Sequence, residues 1–197
     1  MNEQIILASA SPRRRELLDQ IGVSYIVCPV DIDETPIAEE NPQDYVKRVA
    51  AEKSAACIKI VDSKLPVLAA DTSVVIDGKI LGKPKNKADA ARMLSQLSGK
   101  IHSVYSAVSM RRPDALDEQG HSLIVSETQV KFKNITAKEI QAYWQTGEPE
   151  GKAGAYAIQG LASVFVESIE GSFSGVVGLP LFETAALLSK QGIKIIK

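Results

Sequence analysis

Ten consecutive residues, Val67-Leu-Ala-Ala-Asp-Thr-Ser-Val-Val-Ile76, are apolar on both faces of an extended chain except at Asp71, Thr72 and Ser73. The run is followed by Asp77-Gly78, a hairpin signal, and reads as a strand among apolar neighbours. A carboxylate in the middle of such a strand pays heavily for desolvation unless it is paired, metal-bound or opens onto a site. Asp71 is therefore a candidate general base or Mg²⁺ ligand. The bland alternative is a buried salt bridge.

Around this strand, helical and strand-like segments alternate without repeats or low-complexity linkers. Ile5 to Ser9 reads as a short buried strand, and Ser11-Pro12 then caps a helix that runs to about Gln20. Tyr25 to Val30 is a second strand. Asn41-Pro42 repeats the cap-plus-proline signal and opens a helix to about Ile60. Lys87 to Leu97 is amphipathic and stops at Gly99. Strands are expected at about 101–111 and 122–133, joined by a polar loop from Arg112 to Gly120. Thr136 and Glu139 form a capping box for a helix to about Gln145. A Gly-rich loop at 147–154, strands near 155–158 and 162–169, a Gly-rich turn, a helix at about 181–190 and a closing strand complete the chain. Hairpins and helical crossovers together indicate an α/β protein with a mixed sheet, and no domain boundary is visible within 1–197.

Three further segments carry groups suited to phosphate, against the plain reading of exposed arginines and surface lysines. In Ala8-Ser-Ala-Ser-Pro-Arg-Arg-Arg15 a strand runs into a helix N-terminus, whose free N–H groups suit an anion. Ser9 and Ser11 add hydroxyls, and three arginines add forked donors where the helix dipole disfavours cations. Arg14 shares a helical stripe with Leu17, Leu18 and Ile21. Lys53 lies on the stripe Val46, Ala50, Lys53, Cys57, Ile60, so it snorkels outward or points toward an acid or a phosphate. Lys83 sits in Leu81-Gly-Lys-Pro84, a tight loop that fixes where its ammonium points. Two Gly-rich segments, 151–160 and 171–180, imply close backbone approach to a neighbour. Gln159 in the first carries an amide able to pair with a base edge. Neither GxxxxGK[ST] nor GxGxxG is present.

The charge balance narrows the partners. The 197 residues carry 23 Lys+Arg and 24 Asp+Glu, a net charge of −1, which gives no support for broad nucleic-acid or membrane binding. The balance is uneven along the chain. Asp31, Asp33, Glu34, Glu39, Glu40 and Asp44 lie in one stretch without a base; Lys79, Lys83, Lys85, Lys87, Arg92 and Lys100 lie in another with only Asp89. Such stretches facing each other suit a metal-bound polyphosphate, with Glu34 or Asp71 as hard oxygen ligands. The two cysteines, Cys28 and Cys57, read as reduced thiols of a cytoplasmic protein, with a single disulfide as the alternative, and His102 and His121 offer no zinc spacing. No apolar run approaches the ~20 residues of a transmembrane helix, and the N-terminus lacks a signal-peptide pattern.

Together these segments resemble the Maf family of nucleoside triphosphate pyrophosphatases. The matching pieces are Leu7-Ala-Ser-Ala-Ser-Pro-Arg-Arg14, Glu34, Arg48 to Lys53, Ala70-Asp-Thr72, Gly82-Lys-Pro84, Lys152-Ala-Gly-Ala-Tyr156, Ile158-Gln-Gly160 and Val177-Gly-Leu-Pro180. The resemblance implies two α/β lobes around an elongated sheet with a nucleotide cleft, as in ITPase-type enzymes. It also implies a cytoplasmic homodimer that uses a divalent cation (Mg²⁺ or Mn²⁺) to hydrolyse a nucleoside triphosphate to the monophosphate and pyrophosphate. The family's proposed base maps onto Asp71, and its other charged site positions onto Arg13, Arg14, Glu34, Lys53 and Lys83. Arg13, Thr72 and Gln159 read like the subgroup acting on dTTP and UTP. Gly151 departs from it, since many such members have Asp there, and Phe173 replaces a commoner Tyr.

The expected chemistry is in-line attack of water on the α-phosphorus. Asp71 would serve as base or metal ligand and Glu34 as a further ligand, with Arg14, Lys53 and Lys83 on the phosphates. Ser9, Ser11, Arg13, Thr72 and Gln159 would bind substrate, the last two at the base. Two rivals remain: a nucleotide-binding regulator of septum formation without turnover, and a sugar-nucleotide transferase. The low aromatic content, 5%, disfavours a single-strand nucleic-acid platform.

Overall fold

The computed structural model describes residues 3–113 and 120–196. Its elements are β1 (Ile5–Leu7), α1 (Pro12–Gln20), β2 (Tyr25–Val27), α2 (Pro42–Ile60), β3 (Val67–Ile76), β4 (Lys79–Leu81), α3 (Lys87–Leu97), β5 (Ile101–Arg111), β6 (His121–Phe132), α4 (Ala137–Gln145), β7 (Val166–Glu170), α5 (Phe173–Val177) and α6 (Leu181–Lys190). Two helix starts carry the expected side-chain caps. The Asn41 side chain accepts from the Asp44 N–H with Pro42 in the first turn, and Thr136 and Glu139 complete a reciprocal capping box.

The strands form one mixed sheet in the order β2-β1-β3-β5-β6-β7, with β4 also on β3. β1 runs parallel to β2 and β3, because the α1 and α2 crossovers return the chain to the same end; the other pairings are antiparallel. β3 has two neighbours on one edge. β1 pairs with Val67 and Leu68, whereas β4 pairs with Val74 to Ile76. Between Leu68 and Val74 that edge has no strand partner among the described residues, so the sheet carries a slot. Asp71 and Thr72 stand at the slot on opposite faces, as successive residues of a strand must. On the other edge β3 is held along its length by β5, with Asp71 opposite Ala107 and Thr72 opposite Ser106.

α2 packs on one face of the sheet, against β3, β5 and β6. Its stripe is legible in the core: Val46, Ala50, Lys53 and Cys57 are buried, while Ile60 overhangs at 66% exposure. On the opposite face Leu18, Leu68, Met110, Leu179 and Leu188 form one apolar cluster. Leu94, Leu97, Phe132 and Tyr156 form a second with Val74. Between the two runs a polar band: Thr72, Ser106 and Ser126 at facing positions of β3, β5 and β6, with Thr128 two residues along β6 opposite Val104. The short helix α5 lies on this band. Ser106 Oγ donates to the Gly175 carbonyl at 2.6 Å, and Thr128 Oγ1 accepts from the Ser172 N–H at 2.9 Å.

The C-terminal third departs from the expected strands. Residues 155–158 form no strand: Ala153–Ala155 is a 3₁₀ turn in which Gly154 has φ 66° and Ala155 φ 60°. A Cβ on Gly154 would lie 2.9 Å from Val74 Cγ1, so glycine lets this turn seat on β3. The strand expected at 162–169 begins only at Val166, Leu161–Phe165 being a second 3₁₀ turn. The Gly-rich turn after β7 contains α5, and no closing strand follows α6; Ile193 and Ile195 pack instead on the Leu18 cluster. Most of the polar loop expected between Arg112 and Gly120 lies outside the described residues.

Candidate functional site

The slot gathers most of the charged residues singled out in the sequence. From α2, Lys53 reaches across to β3, where Nζ lies 2.9 Å from Asp71 Oδ1. The same ammonium lies 2.8 Å from Glu34 Oε1, on the loop after β2. Both Lys53 and Asp71 are buried, at 8% and 6% exposure, while the Glu34 side chain is half-exposed. Burial alone would raise the Glu34 carboxyl. The Lys53 hydrogen bond and the charges of Lys53, Lys83 and Arg14 outweigh it and hold the group below its ordinary value.

The loop carrying Glu34 has no secondary structure, so α2 fixes it through side chains. Tyr45 OH donates to the Glu34 carbonyl at 2.9 Å. Arg48 grips Glu40 with a forked pair of 2.7 and 2.9 Å and donates to the Thr35 carbonyl at 3.1 Å. Burial, with Asp71 and Glu34 nearby, pushes the Tyr45 phenol up to about 12, so it remains a donor. Tyr45 and Ser106 lacked any distinguishing sequence signal: one is an aromatic on a buried helical stripe, the other a serine within a strand.

On the other side of the slot, Ser9 lies just beyond β1, and its Oγ accepts from the Ser11 N–H at 3.2 Å and from Arg14 Nη1 at 3.0 Å. Ser11 occupies the N-cap position of α1 as expected, yet its side chain makes no capping hydrogen bond. The first-turn N–H groups therefore lack a side-chain cap, the condition in which a helix start receives an anion. Arg14 Nε donates to the Gly178 carbonyl at 2.9 Å, which ties the second Gly-rich segment to the site. Burial holds the Arg14 guanidinium below its ordinary value, opposed by the charges of Asp71 and Glu34.

The remaining candidates are placed more loosely. Lys83 is exposed on its loop, close enough to act on the Glu34 charge. The loop is anchored by Gly154 N–H donating to the Gly82 carbonyl at 3.1 Å, which joins it to the first Gly-rich segment. Thr72 Oγ1 lies 2.8 Å from Ser106 Oγ. Gln159 is exposed and makes no hydrogen bond to the cluster among the described residues. The turn after it is pinned by Glu148, whose carboxylate accepts from the Leu161 and Ala162 N–H groups and from Tyr143 OH. Arg13 points along α1 to Glu16 at 2.9 Å rather than toward Asp71. Outside the slot the charged stretches behave as surface: Lys47 pairs with Asp44, Arg92 with Asp89 and Lys100 with Asp77.

Among the described residues no group of three or more His, Cys, Asp or Glu could hold a metal ion by itself. Two carboxylates on one ammonium form a smaller donor set of hard oxygens. That set fits a Mg²⁺-like ion completing its shell with water and phosphate oxygens, and does not fit a closed protein cage. Cys57 is buried and its thiol is pushed up to about 12 by burial, so neither zinc nor thiolate chemistry is indicated. No helix among the described residues is long and apolar enough to cross a membrane.

A mixed α/β sheet with an anion-ready helix start, a buried Lys-Asp pair and a second acid at one slot defines a class of protein built to hold a polyanion. A family model described as Maf-like protein matches residues 4–191, and the chain belongs to the Maf family. Among its relatives, a Methylococcus capsulatus protein named dTTP/UTP pyrophosphatase is 50% identical over 190 residues, covering 96% of this chain and 92% of that protein. A protein of the same name from Nitrosomonas europaea is 50% identical over 204 residues, covering 97% and 96%. One from Pasteurella multocida is 49% identical over 200 residues, covering 98% of each. Among solved structures, the Staphylococcus aureus Ham1 protein aligns with a TM-score of 0.47 at 18% identity, covering 65% of this chain and 71% of that one.

Proposed function

We propose that this chain hydrolyses dTTP and UTP to the monophosphate and pyrophosphate. The observation that carries this reading is the Lys53 ammonium held between Asp71 and Glu34 beside a half-buried Arg14 and an uncapped helix start. A pocket that merely bound phosphate would gain nothing from two carboxylates, which repel it. A hydrolytic site needs one to handle water and hard oxygens for a cation. The near full-length relatives named dTTP/UTP pyrophosphatase support the substrate class, as do Arg13, Thr72 and Gln159 at the positions that separate the family's subgroups.

In this mechanism the phosphates lie between the α1 start and Lys83. Ser9, Ser11, Arg13 and Arg14 bind on one side and Lys53 and Lys83 on the other, spreading positive charge over the oxygens where negative charge develops. Asp71 orients a water in line with the α-phosphorus and takes its proton as the new P–O bond forms. The bond from the α-phosphorus to the bridging oxygen breaks, and pyrophosphate leaves. Glu34, with Asp71 where it does not serve as the base, would hold a Mg²⁺ or Mn²⁺ ion, which when bound would neutralise phosphate charge. Thr72 and Gln159 contact the base. The chain acts as one domain of two lobes, in the cytoplasm and as a homodimer, removing nucleotides before they are incorporated.

The test is pyrophosphate release from dTTP, UTP and 7-methyl-GTP with Mg²⁺ or Mn²⁺, with and without EDTA, and oligomeric state by sedimentation. Turnover of dTTP and UTP that EDTA abolishes is expected. Silence across the panel would overturn the reading and favour the nucleotide-binding regulator. A preference for 7-methyl-GTP would keep the hydrolase and overturn the substrate.

A further inference from the structure

The polar band that crosses the sheet fixes the direction of its own hydrogen bonds. Ser106 Oγ lies 2.6 Å from the Gly175 carbonyl oxygen and 2.8 Å from Thr72 Oγ1. A carbonyl can only accept, and a serine hydroxyl has one proton. At 2.6 Å that proton belongs to the Gly175 bond, since two oxygens so close without a proton between them repel. Ser106 is 1% exposed and has no water to turn to. Its oxygen must then accept from Thr72, whose own single proton is spent on the contact. Thr72 is half-buried at the slot, so its oxygen meets a ligand with lone pairs only.

From this we infer that Ser106 is a positioning residue that makes Thr72 an obligate hydrogen-bond acceptor, selecting pyrimidines that carry an N3–H. The inference rests on the proposed action on pyrimidine triphosphates and adds how the base is chosen. Uracil and thymine present an N–H at N3, which the Thr72 oxygen can accept. Cytosine presents a lone pair at the same atom, and two acceptors facing each other in a partly desolvated slot are disfavoured. A threonine with a free rotor could serve either base by turning its proton. The Ser106–Gly175 bond removes that freedom. Selection thus depends on α5 staying docked on β5, although neither Ser106 nor Gly175 touches the base.

The test compares kcat/KM for UTP and CTP in the wild type and in Ser106→Ala, Ser106→Thr and Thr72→Val. The wild type is expected to favour UTP. In Ser106→Ala the Thr72 hydroxyl is released to donate, and the UTP:CTP ratio falls about tenfold or more, mainly by a gain with CTP. Ser106→Thr keeps a hydroxyl and restores the ratio. Thr72→Val removes the acceptor, so UTP activity falls and the UTP:CTP ratio drops below that of the wild type. A wild type that cleaves both equally, or a Ser106→Ala protein that keeps the full ratio, overturns the inference while leaving the hydrolase reading intact. Absence of any wild-type UTP or dTTP turnover defeats the hydrolase reading itself. If Ser106→Ala fails to fold by circular dichroism, the Thr72→Val result decides: a UTP:CTP ratio unchanged from wild type there refutes the acceptor role.

Discussion

Replacing Lys53 by methionine tests whether the buried charge pair is the keystone of the slot. Methionine keeps the length of the stem and its apolar packing on α2 and removes the ammonium. The Asp71 carboxylate, 6% exposed, then loses its partner at 2.9 Å. Breaking one side of a buried ion pair costs roughly 3–5 kcal/mol, because the surviving charge is left desolvated. Glu34, with 43% of its side chain exposed, recovers water and adds no more than about 1 kcal/mol. The charge of Arg14 acts on Asp71 and offsets part of the loss, which places the expected destabilisation at about 3 kcal/mol. With a urea m-value of about 2 kcal/mol/M for a chain of this size, the unfolding midpoint should fall by about 1.5 M. The double variant Lys53→Met, Asp71→Asn removes the orphaned charge and should recover about 2 kcal/mol of the loss. Urea unfolding followed by circular dichroism reads both. A single variant within 1 kcal/mol of wild type, or a double variant no more stable than the single one, would refute the reasoning.

Two further outcomes follow from the same geometry. Asp71→Asn should lower turnover by about 10²–10⁴-fold, the usual worth of a positioned general base, while calorimetric nucleotide affinity changes little; near-normal turnover would remove its assigned role. His102 lies buried against Tyr156, whose hydroxyl it meets through Nε2 at 2.9 Å, and burial lowers its pKa from 6.5 to about 4. The unfolded chain binds the extra proton between these values. Stability is therefore fully present above pH 6.5, falls as the pH drops toward 4 by about 3 kcal/mol, and changes no further below that on this account. His102→Gln should flatten that slope in chemical unfolding at pH 7.5, 6, 5 and 4; an unchanged slope would assign it to other groups.

Periodicity carried the α2 face: a stripe stepping by four and three put Lys53 among Val46, Ala50 and Cys57, and the structure buries all four. It also separated Arg14, on the Leu17 and Leu18 face, from its neighbours, which is why Arg14 meets Ser9 and Gly178 while Arg13 pairs along the helix with Glu16. Pattern failed where backbone geometry overrode side-chain preference. Tyr156 and Ile158 look like strand residues, yet positive φ at Gly154 and Ala155 turns the chain into a 3₁₀ segment against Val74. Ile193 and Ile195 had the alternation of a strand, but they cover the Leu18 cluster instead. The slot itself was beyond reach of the sequence, because it depends on which strand pairs with each end of β3. The supporting contacts of Tyr45, Ser106 and the Gly175 and Gly178 carbonyls were equally hidden, since nothing local marks a residue that acts through a neighbour.

The slot also sets a fixed ruler. Asp71 and Thr72 are joined by one peptide unit, with Cα atoms about 3.8 Å apart. No hinge, helix shift or loop closure can alter that spacing. The group assigned to the chemistry and the group assigned to reading the base therefore keep a constant offset however the surrounding elements move. A lineage can change what the slot accepts by substituting residues around it. It cannot move the backbone of Thr72 relative to that of Asp71 without remaking β3 itself.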